Sequence, residues 1–466
     1  MFITNGTLWK DTSGQPVHAH GGSMIRVDGF YYWFGENRSG RKRVSCYRSA
    51  NLRDWEFRGD VLTLDSPFRP MDIRTDPKLA SGDESGTGAN IERPKVVHNP
   101  VTGQYVMWMH WENGRDYHAA RCAVATCDTV DGDYVYRGSF NPAGHMSRDC
   151  TLFVDDDGTA YFISAARDNA DLHIYRLSED FLSIDEHVKT LWPGQYREAP
   201  AMLKRNGVYF LITSGCTGWE PNQGKYAYAD RITGRWSRLY DLGGPTTYDT
   251  QPAFVLPIHG AETTSYLYIG DRWDPSDYHR SSYAALPLEF PDDRTLVLHW
   301  ADAVHIDLHS GRVETRRKQS GLWRIRNGSH RYLTPGGEGD NRIAARKLSY
   351  AALSQLWILE MADERFVRIK NKASGRYMEP LTNGEHHGGR AIALADFADR
   401  ASQHWRLIEG EKAGWYMIQN RLTGNVLTLN REFGDMLHED VLRPGRDGRL
   451  AQTFLITEHY GEPTEM

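Results

Sequence analysis

The sequence predicts an all-β protein, in which a five-bladed β-propeller is followed by a second all-β domain. Two repeats carry this prediction. Apolar segments rich in aromatic and β-branched residues recur through the first 312 residues, and a Gln-x-Trp or Gln-x-Phe pattern recurs three times after residue 320. No long segment shows helical periodicity. Units of this size with β-rich hairpins are typical of a blade array rather than of a sandwich.

The five apolar segments share one layout, with a polar residue standing 11 to 15 residues before a tyrosine. The tyrosines are Tyr31, Tyr105, Tyr161, Tyr209 and Tyr266, and the polar residues are His20, Glu92, Asp149, Glu198 and Gln251. Turn sequences such as Asp28-Gly29 and Asn206-Gly207 lie between the two, which predicts a first and a second strand in each blade. If the blades close into a ring, the five polar residues point toward one axis and form a site.

Composition excludes several classes of function. The formal net charge of −6 gives no reason to expect nucleic acid or an anionic membrane as a partner, and no apolar run approaches a membrane span. The 5 cysteines are too few and too irregularly spaced for a disulfide framework or a zinc site. We expect Cys150 and Cys216 to be buried free thiols. We also expect a monomer that needs no cofactor.

The first residues, MFITNGTLWKDTSG, lack the charged and then apolar pattern of a signal peptide. Two interpretations follow. Either the protein is cytoplasmic, or a leader has been removed from this numbering.

A domain boundary is predicted at a charged stretch. We expect residues 1–312 to form the propeller, residues 313–320 to form a linker and residues 321–460 to form the second domain. In the latter, the Gln-x-aromatic patterns start at Gln355, Gln403 and Gln452, which are 48 and 49 residues apart. This threefold repeat resembles the ricin-type β-trefoil lectins. The resemblance implies that each Gln and Trp is structural and that sugar is bound by a carboxylate near the start of each repeat. The matching positions are Thr334, Glu379 and Thr428, so only the middle repeat retains a carboxylate.

Two carboxylic acids from neighbouring blades are candidates for acid and base chemistry. Hydrolysis of a glycosidic bond needs a proton donor for the leaving oxygen and a group that activates water. Glu198 is the candidate acid, and Asp149 from the adjacent blade would raise its pKa and orient it. Arg148 and Arg197 precede these carboxylates, and strand alternation predicts that both point away from the site.

The motifs around these residues resemble glycoside hydrolase family 43, and within it the exo-β-1,3-galactanase branch. The matching motifs, in chain order, are Ala19–Gly22, Tyr32–Glu36, Glu92–Lys95, Tyr105–His110, Ser147–Asp149, Arg197–Pro200, Thr213–Trp219 and Gly270–Trp273. The resemblance implies an inverting hydrolase that removes galactose from the non-reducing end of β-1,3-galactan. It also implies a carbohydrate partner for both domains.

The general base is the unusual part of the resemblance. Most of the family carries an Asp at the start of the first blade, where this chain reads His18-Ala19-His20-Gly21-Gly22. The resemblance implies that Gln251 positions or activates the water, as an amide or as its imidic acid tautomer. Glu92 and Asp249 remain alternative bases. Inversion predicts that the acid and the water side lie about 6.5–9.5 Å apart.

Candidate sugar-binding residues follow from the same resemblance. Trp219 is expected to stack on the apolar face of galactose. Hydroxyl contacts are expected from Glu36, Glu92, Tyr117, Asp271 and His20. One or two histidines without a carboxylate in the same motif make a weak metal site, so no metal is predicted.

Two other functions are compatible with the residues. One is an α-L-arabinofuranosidase or β-xylosidase of the same family, against which the missing first-blade Asp argues. The other is a non-catalytic galactan-binding protein, against which the pair of Asp149 and Glu198 argues, because a lectin gains nothing from an anion beside a buried acid.

Overall fold

The computed structural model describes residues 2–71, 88–337, 339–386, 389–429, 435–443 and 450–461. The chain forms two compact units. The first contains residues 1–273 and 281–317, and the second contains residues 274–280 and 318–466. No helix in the described part of the chain is long and apolar enough to span a membrane.

The first unit is built from five four-stranded antiparallel sheets, each formed by one contiguous piece of chain. After a short strand at Phe2–Thr4 (β1), the first blade comprises His20–Val27 (β2), Phe30–Asn37 (β3), Arg43–Ser49 (β4) and Glu56–Leu62 (β5). The second comprises Asn90–His98 (β6), Tyr105–Glu112 (β7), Arg121–Cys127 (β8) and Val135–Phe140 (β9). The third comprises Cys150–Val154 (β10), Ala160–Ala166 (β11), Asp171–Leu177 (β12) and Ile184–Leu191 (β13).

The remaining two blades follow the same plan. The fourth comprises Arg197–Arg205 (β14), Val208–Gly215 (β15), Gly224–Ala229 (β16) and Tyr240–Leu242 (β17). The fifth comprises Gln251–His259 (β18), Thr264–Arg272 (β19), Ser282–Glu289 (β20) and Val297–Leu298 (β21). Short 3-10 turns lie at Pro142–Gly144 and Thr247–Asp249. The predicted five-bladed propeller is therefore confirmed, with each predicted tyrosine in the second strand of its blade.

The first strand of each blade is the inner one. Strand β2 contacts β6, β6 contacts β10, β10 contacts β14, β14 contacts β18, and β18 returns to β2. This closed circuit places the starts of the five inner strands around one axis. Apolar side chains between neighbouring blades form the cores, and the largest buried ones are Trp33, Trp55 and Trp108.

A separate three-stranded sheet joins the two ends of the propeller chain. Strand β1 pairs with Ala303–Ile306 (β22), which pairs in turn with Val313–Arg316 (β23). The residues of β23 lie in the segment predicted as a linker, and this part of the prediction is wrong. The segment is charged because its side chains are exposed, but its backbone completes an antiparallel sheet.

The second unit is a set of antiparallel hairpins arranged as three repeats. Its first strands are Trp323–Asn327 (β24), Tyr332–Pro335 (β25), Ile343–Arg346 (β26), Trp357–Met361 (β27), Val367–Asn371 (β28) and Tyr377–His386 (β29). They are followed by Gly389–Ala395 (β30), Trp405–Glu409 (β31), Trp415–Asn420 (β32), Val426–Thr428 (β33), His438–Asp440 (β34) and Phe454–Glu458 (β35). Short 3-10 turns lie at Tyr278–Arg280, Leu353–Gln355 and Ala401–Gln403.

The three repeated glutamines are structural, as the trefoil resemblance implies. Each is buried, and each amide binds the backbone of the loop that precedes it. Gln355 accepts from Ser349 N and donates to Lys347 O, Gln403 accepts from Ala398 N and donates to Asp396 O, and Gln452 accepts from Arg443 N and donates to Val441 O. The buried Trp357 and Trp405 pack in the core shared by the repeats.

In the first blade, β3 lies so close to the segment before β2 that there is no room for a side chain at Gly35. A Cβ atom on Gly35 would lie 1.9 Å from the carbonyl carbon of Ala19. We expect Gly35→Ala to destabilise the protein by about 3 kcal/mol, because backbone atoms must move apart. Gly207→Ala is the matched control, since Gly207 has a φ of +78° and open space around it, and should cost only about 1 kcal/mol. Urea denaturation followed by tryptophan fluorescence measures both. Equal losses would contradict the close contact.

Candidate active site

The polar residues predicted to face the axis all stand at the start of inner strands. His20, Gln251 and Glu198 lie in the first two residues of β2, β18 and β14, Glu92 is the third residue of β6, and Asp149 directly precedes β10. The ladder is interrupted by a register shift directly after His20, Glu92 and Glu198 and one residue further on in β18, whereas β10 shows no shift. β-Bulges of this kind re-aim side chains and bend the strand.

Three of these bulges contain a residue with a positive φ angle. Gly21, Arg93 and Ala199 directly follow His20, Glu92 and Glu198, and their φ values are +59°, +51° and +52°. Arg93 and Ala199 are not glycines, so their left-handed conformation stores strain. Strain of this kind is common at functional sites.

The starts of the inner strands enclose a pocket of about 300 Å³. Its lining includes seven of the nine predicted site residues: Glu36, Glu92, Tyr117, Asp149, Glu198, Trp219 and Gln251. The other lining residues are Arg38, Arg93, His110, Arg148, Asn169, Cys216, Gly218 and Trp273.

Glu198 has the environment of a carboxylic acid that keeps its proton. Burial and, second to it, the negative charge of Asp149 raise its pKa to about 8 against the opposing effect of Arg93. Asp149 Oδ2 accepts from Ala199 N at 3.1 Å, which ties this carboxylate to the residue that follows Glu198. At neutral pH Glu198 therefore carries the proton that a general acid must donate.

Gln251 is held at all four hydrogen-bonding positions of its amide. Its Oε1 accepts from Arg93 Nη2 at 2.5 Å and from Trp273 Nε1 at 3.0 Å. Its Nε2 donates to Glu198 Oε1 at 3.1 Å and to Ser214 Oγ at 3.2 Å. Because both lone pairs of Oε1 face donors, this network stabilises the amide form and leaves no room for a proton on the oxygen.

The expected separation of about 6.5–9.5 Å between acid and water side does not hold for the pair of Glu198 and Gln251. Their side chains are in direct contact at 3.1 Å. Each group satisfies the other, since a buried carboxyl and a buried amide both need partners. A sugar ring has to replace this hydrogen bond before a water molecule can lie opposite the acid.

A second pair of carboxyl groups, Glu36 and Glu92, is bridged by Arg38. Arg38 Nε donates to Glu36 Oε2 at 2.8 Å, and its Nη2 donates to Glu92 Oε1 at 2.7 Å. Burial raises the pKa of Glu36 to about 7 despite the nearby Arg38. Burial also opposes ionisation of Glu92, but Arg38 and His110 outweigh it and lower its pKa overall. Tyr117 donates to Glu92 Oε1 at 2.6 Å, so Glu92 is an anion with both oxygens engaged.

His110 lies between two carboxylates. Its Nδ1 is 3.2 Å from Glu92 Oε2, and its Nε2 is 2.9 Å from Glu112 Oε1. Burial lowers its pKa, but these two contacts raise it to about 9, so the ring is cationic at neutral pH.

Glu92, His110 and Asp149 place one ligand atom each within 4.8 Å of one another, the spacing of a metal site. Their existing partners do not fit a metal. His110 is protonated on both nitrogens, Arg38 binds Glu92, and Arg93 Nε binds Asp149 at 2.9 Å. A metal would have to displace three cations, so the residues present do not fit one.

The aromatic wall of the pocket consists of two stacked indoles. Trp219, in the segment after β15, lies parallel to Trp273 with ring centroids 4.9 Å apart and an interplanar angle of 5°. Arg38 packs over Trp219 at 5.6 Å. Trp273 in turn donates to Gln251, so this wall is connected to the hydrogen-bond network around Gln251.

Asp271 and His20 were predicted to contact sugar, but they lie behind the pocket lining and are almost fully buried. His20 Nδ1 is 3.1 Å from Asp271 Oδ1, and Gly21 N donates to Asp271 Oδ2 at 2.9 Å. Asp271 therefore fixes the bulge of the first blade. Asp249, the third candidate base, also lies outside the pocket, with Oδ2 3.7 Å from Arg272 Nη2.

Two predictions about neighbouring residues are wrong. Arg148 was expected to point away, yet it lines the pocket, because it lies in the loop before β10 where strand alternation does not apply. Cys216 was expected to be buried, yet it is exposed in the pocket. Arg197 does point away, to Thr213, and Cys150 is buried.

Arg93, Asn169 and Trp273 are pocket residues to which sequence reasoning gave no role. Arg93 and Trp273 stand inside the motifs already noted, next to or near residues that were chosen, which is the signal that could have found them. Asn169 lies in a turn between strands, and nothing in the sequence marks it.

The model of glycosyl hydrolases family 43 matches residues 15–262, which is more than half of the chain and includes the acid, its neighbour and Gln251. The chain belongs to glycosyl hydrolases family 43. In the second unit, residues 353–435 match the ricin-type β-trefoil lectin domain-like model. The predicted fold and family are both confirmed.

Solved members of family 43 resemble this chain along most of its length. An exo-β-1,3-galactanase from Clostridium thermocellum is 38% identical with a TM-score of 0.62, and the match covers 98% of this chain and 99% of that one. An exo-β-1,3-galactanase from Phanerochaete chrysosporium with galactose is 28% identical with a TM-score of 0.61, covering 87% of this chain and 92% of that one.

The curated relatives match over shorter stretches. A β-D-galactofuranosidase from Aspergillus niger is 35% identical over 96 residues, which is 20% of this chain and 27% of that protein. The chain spans only about a quarter to a third of the length of the curated relatives that it matches.

The proton held by Glu198 should make the stability of this family 43 protein depend on pH. The folded pKa of about 8 exceeds the ordinary value of 4.5. Below pH 4.5 both states are protonated. Between pH 4.5 and 8 the unfolded chain releases a proton that the folded protein retains, so the free energy of unfolding falls, by a few kcal/mol at most.

Glu198→Gln removes this penalty, and it should match the wild type near pH 4 but become progressively more stable toward pH 8. Thermal unfolding across this pH range measures the difference. Glu186→Gln on the exposed part of β13 controls for the loss of one charge. Parallel curves for wild type and Glu198→Gln would contradict the raised pKa.

Proposed function

We propose that this protein is an exo-acting, inverting glycosidase that hydrolyses β-1,3-galactosidic bonds and releases galactose from galactan or the arabinogalactan main chain. The observation that carries the proposal is a buried, protonated Glu198 beside Asp149 and in contact with Gln251, in one pocket. Neighbours that match nearly the whole chain support the substrate, since they are exo-β-1,3-galactanases.

Glu198 serves as the general acid. It donates its proton to the glycosidic oxygen as the bond to the anomeric carbon breaks, and the leaving sugar departs as a neutral alcohol. Asp149 keeps the proton on Glu198 until this step through its negative charge. Arg93 holds Asp149 in place, and by partly offsetting that charge it keeps the acid strong enough to react.

Gln251 positions the attacking water. Arg93 and Trp273 fix its amide oxygen, so the direction of the Nε2 hydrogens is determined. When a sugar ring separates Gln251 from Glu198, one of these hydrogens is released and can orient a water oxygen toward the face of the anomeric carbon opposite the acid. Attack from that face inverts the configuration, and the proton that the attacking water loses passes to solvent.

The remaining pocket residues suit recognition of one sugar ring. The exposed face of the tryptophan wall offers a surface for the apolar face of galactose, with Trp219 as its outer member. Glu36, Glu92 and Tyr117 line the same pocket and offer acceptors and donors for hydroxyl groups. Hydroxyl contacts of this type discriminate strongly, because a sugar that lacks the matching hydroxyl leaves a buried polar group unpaired.

The second unit is proposed to bind carbohydrate as an accessory domain. Its match to a lectin-like model supports this role. The carboxylate of Glu379 is not an open site, since Arg400 binds both of its oxygens at 2.6 and 3.0 Å. A sugar hydroxyl at Glu379 would have to displace Arg400.

The deciding experiment is incubation of the purified protein with β-1,3-galactobiose and linear β-1,3-galactan, with the anomeric proton signals of released sugar followed by NMR. We expect α-galactose to accumulate first. Arabinosyl and xylosyl substrates run beside it test the other activities of the family. Glu198→Gln should release galactose at least about a hundredfold more slowly, because a general acid contributes about 10²–10⁴ in rate. If no sugar is released from any of these substrates, the protein binds galactan without hydrolysing it.

Asp149→Asn tests the electrostatic role of the neighbouring carboxylate. Removing this anion leaves Arg93 uncompensated beside the acid, so the pKa of Glu198 should fall. We expect the basic limb of the pH profile of kcat/KM to move to lower pH, with a lower maximum. Profiles on β-1,3-galactobiose measure the shift. An unchanged basic limb would show that Asp149 does not act on Glu198.

A further inference from the structure

The turn between β11 and β12 presents a side chain where glycine is the easiest residue. In this β-turn, Ala170 N donates to Arg167 O at 3.0 Å, and the central residues Asp168 and Asn169 have φ values of +53° and +64°. Turns with two positive central φ angles favour Asn or Asp first and Gly second, because Gly has no Cβ to clash.

Two other hairpins of the same propeller follow this rule. Asp28-Gly29 joins β2 to β3, with φ values of +49° and +83°, and Asn206-Gly207 joins β14 to β15, with φ values of +50° and +78°. Asn169 occupies the position that Gly29 and Gly207 occupy in these turns. The chain therefore accepts a strained backbone in order to carry a side chain there, which suggests that the side chain has a use outside the turn.

The side chain of Asn169 reaches the acid. Its Nδ2 donates to Glu198 Oε2 at 3.1 Å, on the oxygen opposite to the one that Gln251 binds. Its Oδ1 is buried, and among the residues that the structure describes it has no hydrogen-bond partner. The amide of Asn169 thus donates to Glu198 through Nδ2, and its Oδ1 is an acceptor that is not used.

The turn is anchored next to the catalytic pair. Arg148 Nη2 donates to Asp168 Oδ1 at 2.8 Å, and Arg148 N donates to Ala165 O at 2.8 Å. Arg148 directly precedes Asp149, so the strand that carries Asp149 and the turn that carries Asn169 are held together. Since Asp149 in turn accepts from Ala199 N on β14, the turn that carries Asn169 is connected to the strand that carries Glu198.

We propose that Asn169 is a positioning residue of the general acid, held by the turn so that its amide binds Glu198 in both of the protonation states through which the acid passes. This inference rests on the proposed role of Glu198. Before the reaction, the amide group of Asn169 can rotate by half a turn, so that its Oδ1 accepts a hydrogen bond from the protonated carboxyl group of Glu198. After the proton has moved to the glycosidic oxygen, Nδ2 donates to the new carboxylate. Asn169 itself exchanges no proton.

A neutral amide suits this position better than a charged group. A cation here would favour the carboxylate so strongly that the proton would be lost at neutral pH, and a second anion beside Asp149 would hold the proton too tightly. An amide stabilises the carboxylate by one hydrogen bond, which matters most as the charge develops.

Asn169→Gly is the decisive variant, because Gly suits the turn and deletes only the amide. We expect its unfolding midpoint to equal or exceed that of the wild type. On β-1,3-galactobiose kcat should fall about tenfold to a hundredfold, since a hydrogen bond to a charged group contributes about 1.5–3 kcal/mol. The basic limb of the pH profile should move to higher pH, the opposite of Asp149→Asn. A 2,4-dinitrophenyl β-galactoside, whose leaving group needs little protonation, should react at nearly the wild-type rate.

Asn206→Gly is the matched control, because it changes a left-handed Asn in an exposed hairpin turn that contacts only Asp293 among the hydrogen bonds described. It should leave both rates and the pH profile unchanged. Asn169→Asp is the second variant. It tolerates the same backbone and should move the basic limb further toward high pH, because it adds an anion next to Glu198.

Three results would overturn the inference. One is a wild-type pH profile in Asn169→Gly. Another is an equal loss on the disaccharide and the activated galactoside, which would indicate sugar binding instead. The third is a fall in unfolding midpoint beyond that of Asn206→Gly, which would show that the side chain serves the turn. A wild-type protein that releases no galactose would refute the proposed function itself, and is distinguishable from all three.

Discussion

The guanidinium of Arg93 is the group on which the rest of the site depends. It starts from the second blade, binds Asp149 before the third, and binds Gln251 and the carbonyl oxygen of Pro252 on the fifth. A buried cation of this kind is stable only if its donors are all well used, and here a carboxylate, an amide and a carbonyl supply the acceptors. Its contacts set the direction of Gln251 and hold the carboxyl group of Asp149 in place beside Glu198.

The strained starts of the inner strands make these contacts possible. In a regular strand Arg93 would point to the opposite face from Glu92, and Ala199 would carry its N–H into the ladder. The bulge and the positive φ at each position turn Arg93 into the pocket and release Ala199 N for Asp149. Because the rest of each blade is regular and well packed, the strain is confined to the few residues that face the axis.

The pocket separates two kinds of carboxyl group by their surroundings. Glu92 is held as an anion by Arg38, Tyr117 and the cationic His110, whereas Glu198 is held as a neutral acid by burial and by Asp149. The same residue type is therefore an anion at one position of the pocket and a neutral acid at another. Asn169, Gln251 and Asp149 around the acid carry no positive charge, which is consistent with a group that has to keep its proton until the reaction.

The sequence by itself determined the number of blades, the second threefold repeat and the meeting of Asp149, Glu198 and Gln251. Repeats fix equivalent positions, and equivalent positions in a closed ring converge whatever the details of each blade. The tertiary structure alone decided that Arg93 and Arg148 face the pocket, that Asp271 lies behind it, that Cys216 is exposed and that residues 313–316 form a strand. Those features depend on bulges, turns and the pairing of distant segments, which change the direction of individual side chains without leaving a periodic signal. Asn169 is the clearest case, because only the folded turn shows that a side chain stands where glycine would fit and that it reaches the acid.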